Sequence, residues 1–180
     1  MNDDSILHVK DVKTYFYSRE GTLKAVDGVS FSVRAGESLG IVGESGCGKS
    51  VTAQSIMRIV PDNGKITEGE ILLKRNGEFI DLVPLKDEDR TLLDIRGKDI
   101  AMIFQEPMTS FSPVYTIGNQ IIESVLLHQD VDKEEARTIA LDVLRKVGMP
   151  KPEATIDSYP FNLSGGMRQR AMIAMALTCR

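Results

Sequence analysis

The sequence has two cysteines and two histidines in 180 residues, and neither type clusters. Cys47 and Cys179 stand far apart and outside any C-x-x-C pair, which argues against a disulfide scaffold or a zinc site and for a reducing, cytosolic compartment. His8 and His128 lack a ligand-spaced partner and read as surface or partly buried structural residues. There is no basic excess: 22 Lys and Arg against 26 Asp and Glu leave a formal charge of -4. That balance argues against a protein built to coat nucleic acid. Long apolar runs are missing too. The longest, Ala171 to Leu177, is far short of the ~20 residues that cross a bilayer, and the start carries Asp3 and Asp4 where an export signal carries base. A role at a membrane would need another subunit to supply the spanning part. No internal repeat, low-complexity tract or interdomain linker is visible. What remains, 42% hydrophobic and 27% charged, is ordinary globular composition.

The first part of the chain reads as strands and turns. "ILHVK" is followed by "VSFSVRAG", in which Val29, Phe31 and Val33 alternate with Ser30, Ser32 and Arg34 before Gly36 ends the pattern. "SLGIVG" is a short apolar run of the kind that suits a strand buried on both faces. "KSVTAQSIMRIV" places Val51, Ile56, Ile59 and Val60 at helical spacing until Pro61 and the "PDNG" turn stop it. "GEILL" and "EFIDLV" are strand-like, "KDEDR" reads as a solvated turn, and "DIAMIF" is a second buried-strand candidate. From Gln105 the pattern turns helical. "GNQIIESVLLHQ" is amphipathic, and a second helix has Asp132 as N-cap with Glu135 three residues on. Ala136, Ile139, Ala140, Val143, Leu144 and Val147 form its apolar stripe, and Gly148 closes it. The loop "MPKPEATIDSYPFN" leads to "LSGGMRQRAMIAMALTCR", where Ser164 can cap a last helix.

Between the "SLGIVG" run and the first helix, Gly43, Gly48, Lys49 and Ser50 satisfy G-x-x-x-x-G-K-[ST] in the strand, loop and helix context that this motif requires. Glycines let the backbone curl so that successive N–H groups converge, and a bulky side chain there would fill the space of a phosphate. The helix that follows adds its positive end, roughly half an elementary charge. Lys49 stands last because its arm reaches back to the β- and γ-phosphates, while the Ser50 hydroxyl can help to hold Mg2+. The expected ATP-binding set is therefore Gly43, Glu44, Ser45, Gly46, Cys47, Gly48, Lys49, Ser50 and Val51. Cys47 reads as a small space-filler whose backbone counts. Ser164, Gly165 and Gly166 form a second side-chain-poor helix start and a second anion site.

With "LSGGMRQR" (Leu163 to Arg170) the sequence resembles an ATP-binding cassette (ABC) ATPase, whose signature begins LSGG. The companion pieces fall in that family's order: "VDGVSFSVRAGESLGIVGESGCGKS", then "IAMIFQEPMTSFSP" with the Q-loop glutamine at Gln105, then the signature. The wording "RGKDIAMIFQEPMTS" is most like the oligopeptide/dipeptide importer group, and the resemblance runs from Ile6 onward. It implies an α/β fold: a P-loop NTPase core, incomplete, with an N-terminal antiparallel β subdomain and a helical signature subdomain. The expected division is 1–104 (β subdomain and phosphate-loop part of the core), 105–163 (Q-loop and helical subdomain) and 164–180 (signature helix). It further implies ATP and Mg2+ as cofactors, with Lys49 and Gln105 catalytic, and Ser50 and Gln105 near the metal.

In the resembled family two cassettes pack head to tail, so that Ser164, Gly165 and Gly166 would meet the γ-phosphate held by a partner cassette. The implied partners are a second ABC ATPase subunit, identical or not, transmembrane permease subunits and, indirectly, a solute-binding protein, with no nucleic acid. The implied location is peripheral, on the cytoplasmic side of the membrane. Phe16, flanked by Tyr15 and Tyr17, stands where the family stacks an aromatic on adenine; hairpin packing is the equal alternative. Arg168 and Arg170 read as a solvated helix face, with a role in ordering the signature helix as the alternative.

The sequence also departs from the family. No apolar run ending in Asp-Glu follows the signature, and no catalytic histidine follows that. The two strands that carry these groups lie, in the family, between those of "SLGIVG" and "DIAMIF", so both runs are expected to have unpaired edges. The expectation is a chain cut short or completed by another copy, binding nucleotide without turnover. Two other readings stay open: a repair or chromosome-maintenance ATPase, although no sustained heptads separate the two motifs, and a non-hydrolytic regulatory module. A GTPase lacks its Asn-Lys-x-Asp guanine reader here.

Overall fold

The computed structural model describes residues 4–106 and 110–178. It forms two compact units, Met1–Leu93 and Asp94–Arg180, where the sequence divides at 104/105.

The first unit is built on a four-stranded antiparallel sheet in the order β2-β1-β3-β4, from β1 (Ser5–Ser18), β2 (Gly21–Arg34), β3 (Gly64–Arg75) and β4 (Glu78–Asp81). β1 and β2 make a long hairpin, paired from Ser5 opposite Arg34 to Ser18 opposite Gly21. The predicted alternation holds, with Val29, Phe31 and Val33 half-buried and their Ser and Arg neighbours exposed. β1 is bulged at Asp11, whose φ is 46°, and its register shifts against both neighbouring strands there. A side chain at Gly69, with φ at 99°, would meet the Asp11 oxygen at 2.6 Å, so the partner strand is bare where the bulge presses on it. Val9 and Val12 can then both be buried, with Val26, Ile71, Leu73 and Leu82.

Helix α1 (Lys49–Met57) ends at Arg58, which takes the left-handed conformation. Its buried residues are Thr52 and Ser55, not the apolar stripe predicted from Val51, Ile56, Ile59 and Val60. The buried Thr14 hydroxyl of β1 lies 2.8 Å from Ser55 Oγ, which itself donates to the Val51 carbonyl at 2.7 Å. A hydroxyl pair therefore joins this helix to the sheet.

The largest departure concerns "SLGIVG". Residues 37–44 form no strand, and Leu39, Ile41 and Val42 are 48%, 49% and 96% exposed. Among the described residues no strand pairs with it to accept its backbone groups, so the run is not the buried strand the sequence predicts.

In the second unit, "DIAMIF" contributes one bridge, Ile100 with Arg96, and Ile103 and Phe104 are exposed. Ahead of it a helix the sequence did not predict, α2 (Arg90–Lys98), breaks at Arg96 and Gly97. The rest is helical: α3 (Ile117–His128), α4 (Lys133–Lys146), α5 (Pro152–Thr155) and α6 (Gly165–Leu177), with a 3-10 turn at Pro160–Asn162. α5 and that turn replace the predicted loop.

The Asp132 side chain caps α4, accepting from the Glu135 N–H at 2.9 Å, and Thr116 caps α3 by accepting from the Asn119 N–H. The α4 stripe faces the core: Ala136, Ala140, Val143 and Leu144 are buried with Ile121, Val125, Ile156, Leu163, Ala171 and Ala174, while Ile139 and Val147 are partly buried. Among the described residues no helix is long and apolar enough to cross a membrane, and no group of three or more acidic, His or Cys side chains is placed to hold a metal.

Candidate nucleotide-binding site

The loop from Gly43 to Gly48 turns sharply into α1, and its residues up to Cys47 are exposed. Gly48 is the N-cap, with φ at 91°, and no side chain caps the helix. A Cβ on Gly48 would sit 2.2 Å from the Ala25 carbonyl oxygen of β2, so a larger residue here would push the loop off the sheet. At the other end, a Cβ on Gly43 would lie 2.6 Å from Sγ of the exposed Cys47, so the two ends of the loop lie close together. Lys49 Nζ folds back to donate to the carbonyls of Gly43 and Glu44, both at 2.7 Å, and lies 3.5 Å from Cys47 Sγ. The ammonium thus closes the loop into a ring. Thr52 holds the first turn, its N–H and hydroxyl both donating to the Gly48 carbonyl, at 2.8 and 3.0 Å.

These features fit a polyphosphate. The start of α1 offers uncapped N–H groups, a bare backbone surrounds them, Lys49 stands within the curl, and the Ser50 side chain is open to solvent. All nine residues named from 43 to 51 are brought together on this loop and the first turn of α1.

Phe16 is half-buried on β1. Its ring lies against Gly64, where a Cβ would come within 2.7 Å of Phe16 Cε1 and 2.5 Å of Val60 Cγ1. The neighbouring Tyr15 donates its hydroxyl to Asp27 Oδ1 at 2.6 Å, with Lys24 Nζ 5.1 Å from the ring centroid. That hydrogen bond to the carboxylate raises the Tyr15 phenol above its ordinary value and lowers Asp27 below its own.

In the second unit Gln105 stands exposed in a bend after Phe104. The predicted signature residues start α6. Ser164 caps it, accepting from the Met167 N–H at 3.4 Å, and Gly165 and Gly166 are exposed. Neither glycine has a positive φ, and a Cβ on either would meet nothing within 4 Å. Glycine lowers helix stability by about 1 kcal/mol relative to Ala. Nothing in the surrounding fold demands it here.

Arg170 is exposed, as a solvated helix face requires, whereas Arg168 is half-buried, and both reach backbone carbonyls. Arg168 Nε donates to the Pro160 carbonyl at 2.7 Å and its Nη2 to the Phe161 carbonyl at 3.3 Å, while Arg170 Nη1 donates to the Gly148 carbonyl at 3.0 Å. The Thr14–Ser55 pair and the approach of Gly48 to Ala25 had no sequence signal, because both depend on contacts far apart in the chain.

Comparison with known proteins agrees with this geometry. The family model for ABC transporters matches residues 26–180. The chain belongs to the ABC transporter family. It is 51% identical over 177 residues to a probable peptide ABC transporter ATP-binding protein, y4tR, of Sinorhizobium fredii, covering 98% of this chain and 51% of the relative. It is 47% identical over 176 residues to the oligopeptide transport ATP-binding protein AppD of Bacillus subtilis, covering 97% of this chain and 52% of that one. This ABC chain therefore spans about half the length of these curated relatives. A solved ATP-binding cassette, dimeric in a post-hydrolysis state bound to ADP and Pi, superposes with a TM-score of 0.81 at 27% identity, covering 96% of this chain and 69% of that one. The fold is accordingly that of a partial P-loop ABC cassette.

Proposed function

We propose that the chain is the nucleotide-binding part of an ATP-hydrolysing ABC subunit that energises import of peptides or chemically similar solutes. The observation that carries this reading is the loop Gly43–Ser50, curled by Lys49 and open at an uncapped helix start. Gly43 through Val51 would hold the phosphates of ATP through backbone N–H groups and Lys49, with the Ser50 hydroxyl toward Mg2+. When bound, Mg2+ neutralises phosphate charge, and the reaction class is phosphoryl transfer to water by positioning rather than covalent catalysis. The names of the relatives, peptide and oligopeptide ATP-binding proteins, support the solute class.

Residues 1–180 have no apolar strand ending in Asp-Glu. We therefore assign them nucleotide binding, with turnover belonging to the whole subunit. The bare Gly165 and Gly166 fit a surface approached by a second cassette, identical or not, and the permease subunits would carry the chain at the cytoplasmic face of the membrane as a peripheral protein. Among the described residues, the elements between the two motifs are two strands and helices of at most 14 residues, unlike the long arms of a chromosome-maintenance ATPase. The test is calorimetric titration of the full-length protein with Mg·ATP. Wild type should bind saturably, and Lys49→Ala should bind at least tenfold more weakly; equal affinity in the two would contradict the proposal.

A further inference from the structure

We infer that Arg168 is a positioning residue for the signature turn, acting through the carbonyls of Pro160 and Phe161. This rests on the functional reading above, in which Ser164–Gly166 meets a phosphate, and it assigns to a side chain outside that turn the task of aiming it.

The turn has few means of holding itself. Gly165 and Gly166 carry no side chains and have open space around them, and the Ser164 cap bond is long at 3.4 Å. Upstream, Leu163 is anchored in the core, and its N–H donates to the Pro160 carbonyl at 3.2 Å. Downstream, the first turn of α6 is pinned by the half-buried Arg168, whose backbone N–H donates to the Ser164 carbonyl at 3.0 Å. The guanidinium then spans the glycines from outside. Its Nε reaches Pro160 O at 2.7 Å and its Nη2 reaches Phe161 O at 3.3 Å, so one rigid planar fork grips the 3-10 turn on the near side while its own backbone holds the helix start on the far side.

The Pro160 oxygen accepts from both Leu163 N and Arg168 Nε, which makes it the common anchor of the two flanks. Arg170 ties the same helix to the end of α4 through Gly148. The core contacts of α6 are made by the buried Ala171, Met172 and Ala174, which follow Arg168 in the helix. Loss of the fork should therefore loosen residues 161–166 and leave the helical core in place.

The experiment compares wild type, Arg168→Gln and Arg168→Lys in the full-length subunit, by backbone hydrogen exchange and by ATP turnover in the assembled complex. Arg168→Gln should speed exchange of amides 162–166 about tenfold with amides 171–177 unchanged. It should lower kcat about tenfold with KM for ATP altered less than twofold. Arg168→Lys, which can reach one carbonyl but not both, should restore part of each. Unchanged exchange at 162–166, exchange raised throughout α3, α4 and α6, or faster local exchange with kcat intact would each overturn the inference. The Lys49→Ala titration separates the two levels. If that variant keeps its nucleotide affinity, the functional reading fails whatever Arg168 does; if it loses it while Arg168→Gln matches wild type, the positioning role alone fails.

Discussion

The chain starts two helices with glycine, and it does so for opposite reasons. At α1, Gly48 is imposed from within: φ is positive and the Ala25 oxygen fills the place of a Cβ. At α6, Gly165 and Gly166 have ordinary backbone angles and empty surroundings, so the chain could carry alanine there and gain helix stability. The phosphate loop is thus a finished object, braced by its own lysine and sheet. The signature turn is an open one, whose missing side chains make sense when something outside comes close.

The largest expected effect lies in breaking this contrast. Gly48→Ala combines a forbidden backbone angle with a collision against main chain and should cost about 3 kcal/mol in chemical denaturation. Gly165→Ala should leave stability equal or raise it by up to about 1 kcal/mol while lowering ATP turnover of the assembled transporter. Swapped outcomes would remove the distinction.

Next in size is the brace beneath the loop. Since Ser55 Oγ donates to Val51 O, Thr14 supplies the hydrogen between the two hydroxyls. Ser55→Ala leaves the buried Thr14 hydroxyl without that acceptor and should cost about 2 kcal/mol, whereas Thr14→Val removes the donor itself and should cost about 1 kcal/mol. Equilibrium unfolding of the two variants distinguishes these values.

In the helical unit, Asp132→Ala removes the cap of α4 and should cost about 1 kcal/mol by thermal unfolding. It should leave nucleotide affinity at the phosphate loop unchanged. The smallest effect is pH-dependent. Arg137 donates from Nη1 and Nη2 to the two Asp157 carboxylate oxygens at 3.0 and 2.8 Å and holds that carboxyl below its ordinary value. Its stabilising contribution is present above the unfolded carboxylate pKa, near 3.8, and is lost as pH falls below it through the depressed folded value. The pair is largely solvated, so the loss should stay within about 0.5 kcal/mol, read as the difference between wild type and Arg137→Gln at pH 7 and pH 3.

Local rules were legible in the sequence where the cause is local. The β2 alternation, the Asp132 cap with its apolar stripe, the Gly148 stop and the glycine turn that starts α1 all appear where their residues place them, although the strand expected before that turn does not form. Two apolar runs did not. Leu39, Ile41 and Val42, like Ile103 and Phe104, carry the composition of buried strands and stand exposed, because composition states a need for burial and cannot supply the neighbour that meets it. α1 misled in the other direction: its apolar spacing pointed to one face, and the sheet took the hydroxyl face through Thr14. Arg168 looked solvated because its partners are carbonyls, which leave no mark in a sequence.

The central claim is that backbone amides from Gly46 to Val51 enclose a polyphosphate on this chain, while those of Gly165 and Gly166 wait for a second one. Amide chemical shifts of the full-length protein, followed during Mg·ATP titration at concentrations that keep it monomeric, test this most directly. The account predicts saturable shifts at 46–51 and still resonances at 165 and 166. Unmoved amides at 46–51 under saturating nucleotide would contradict it.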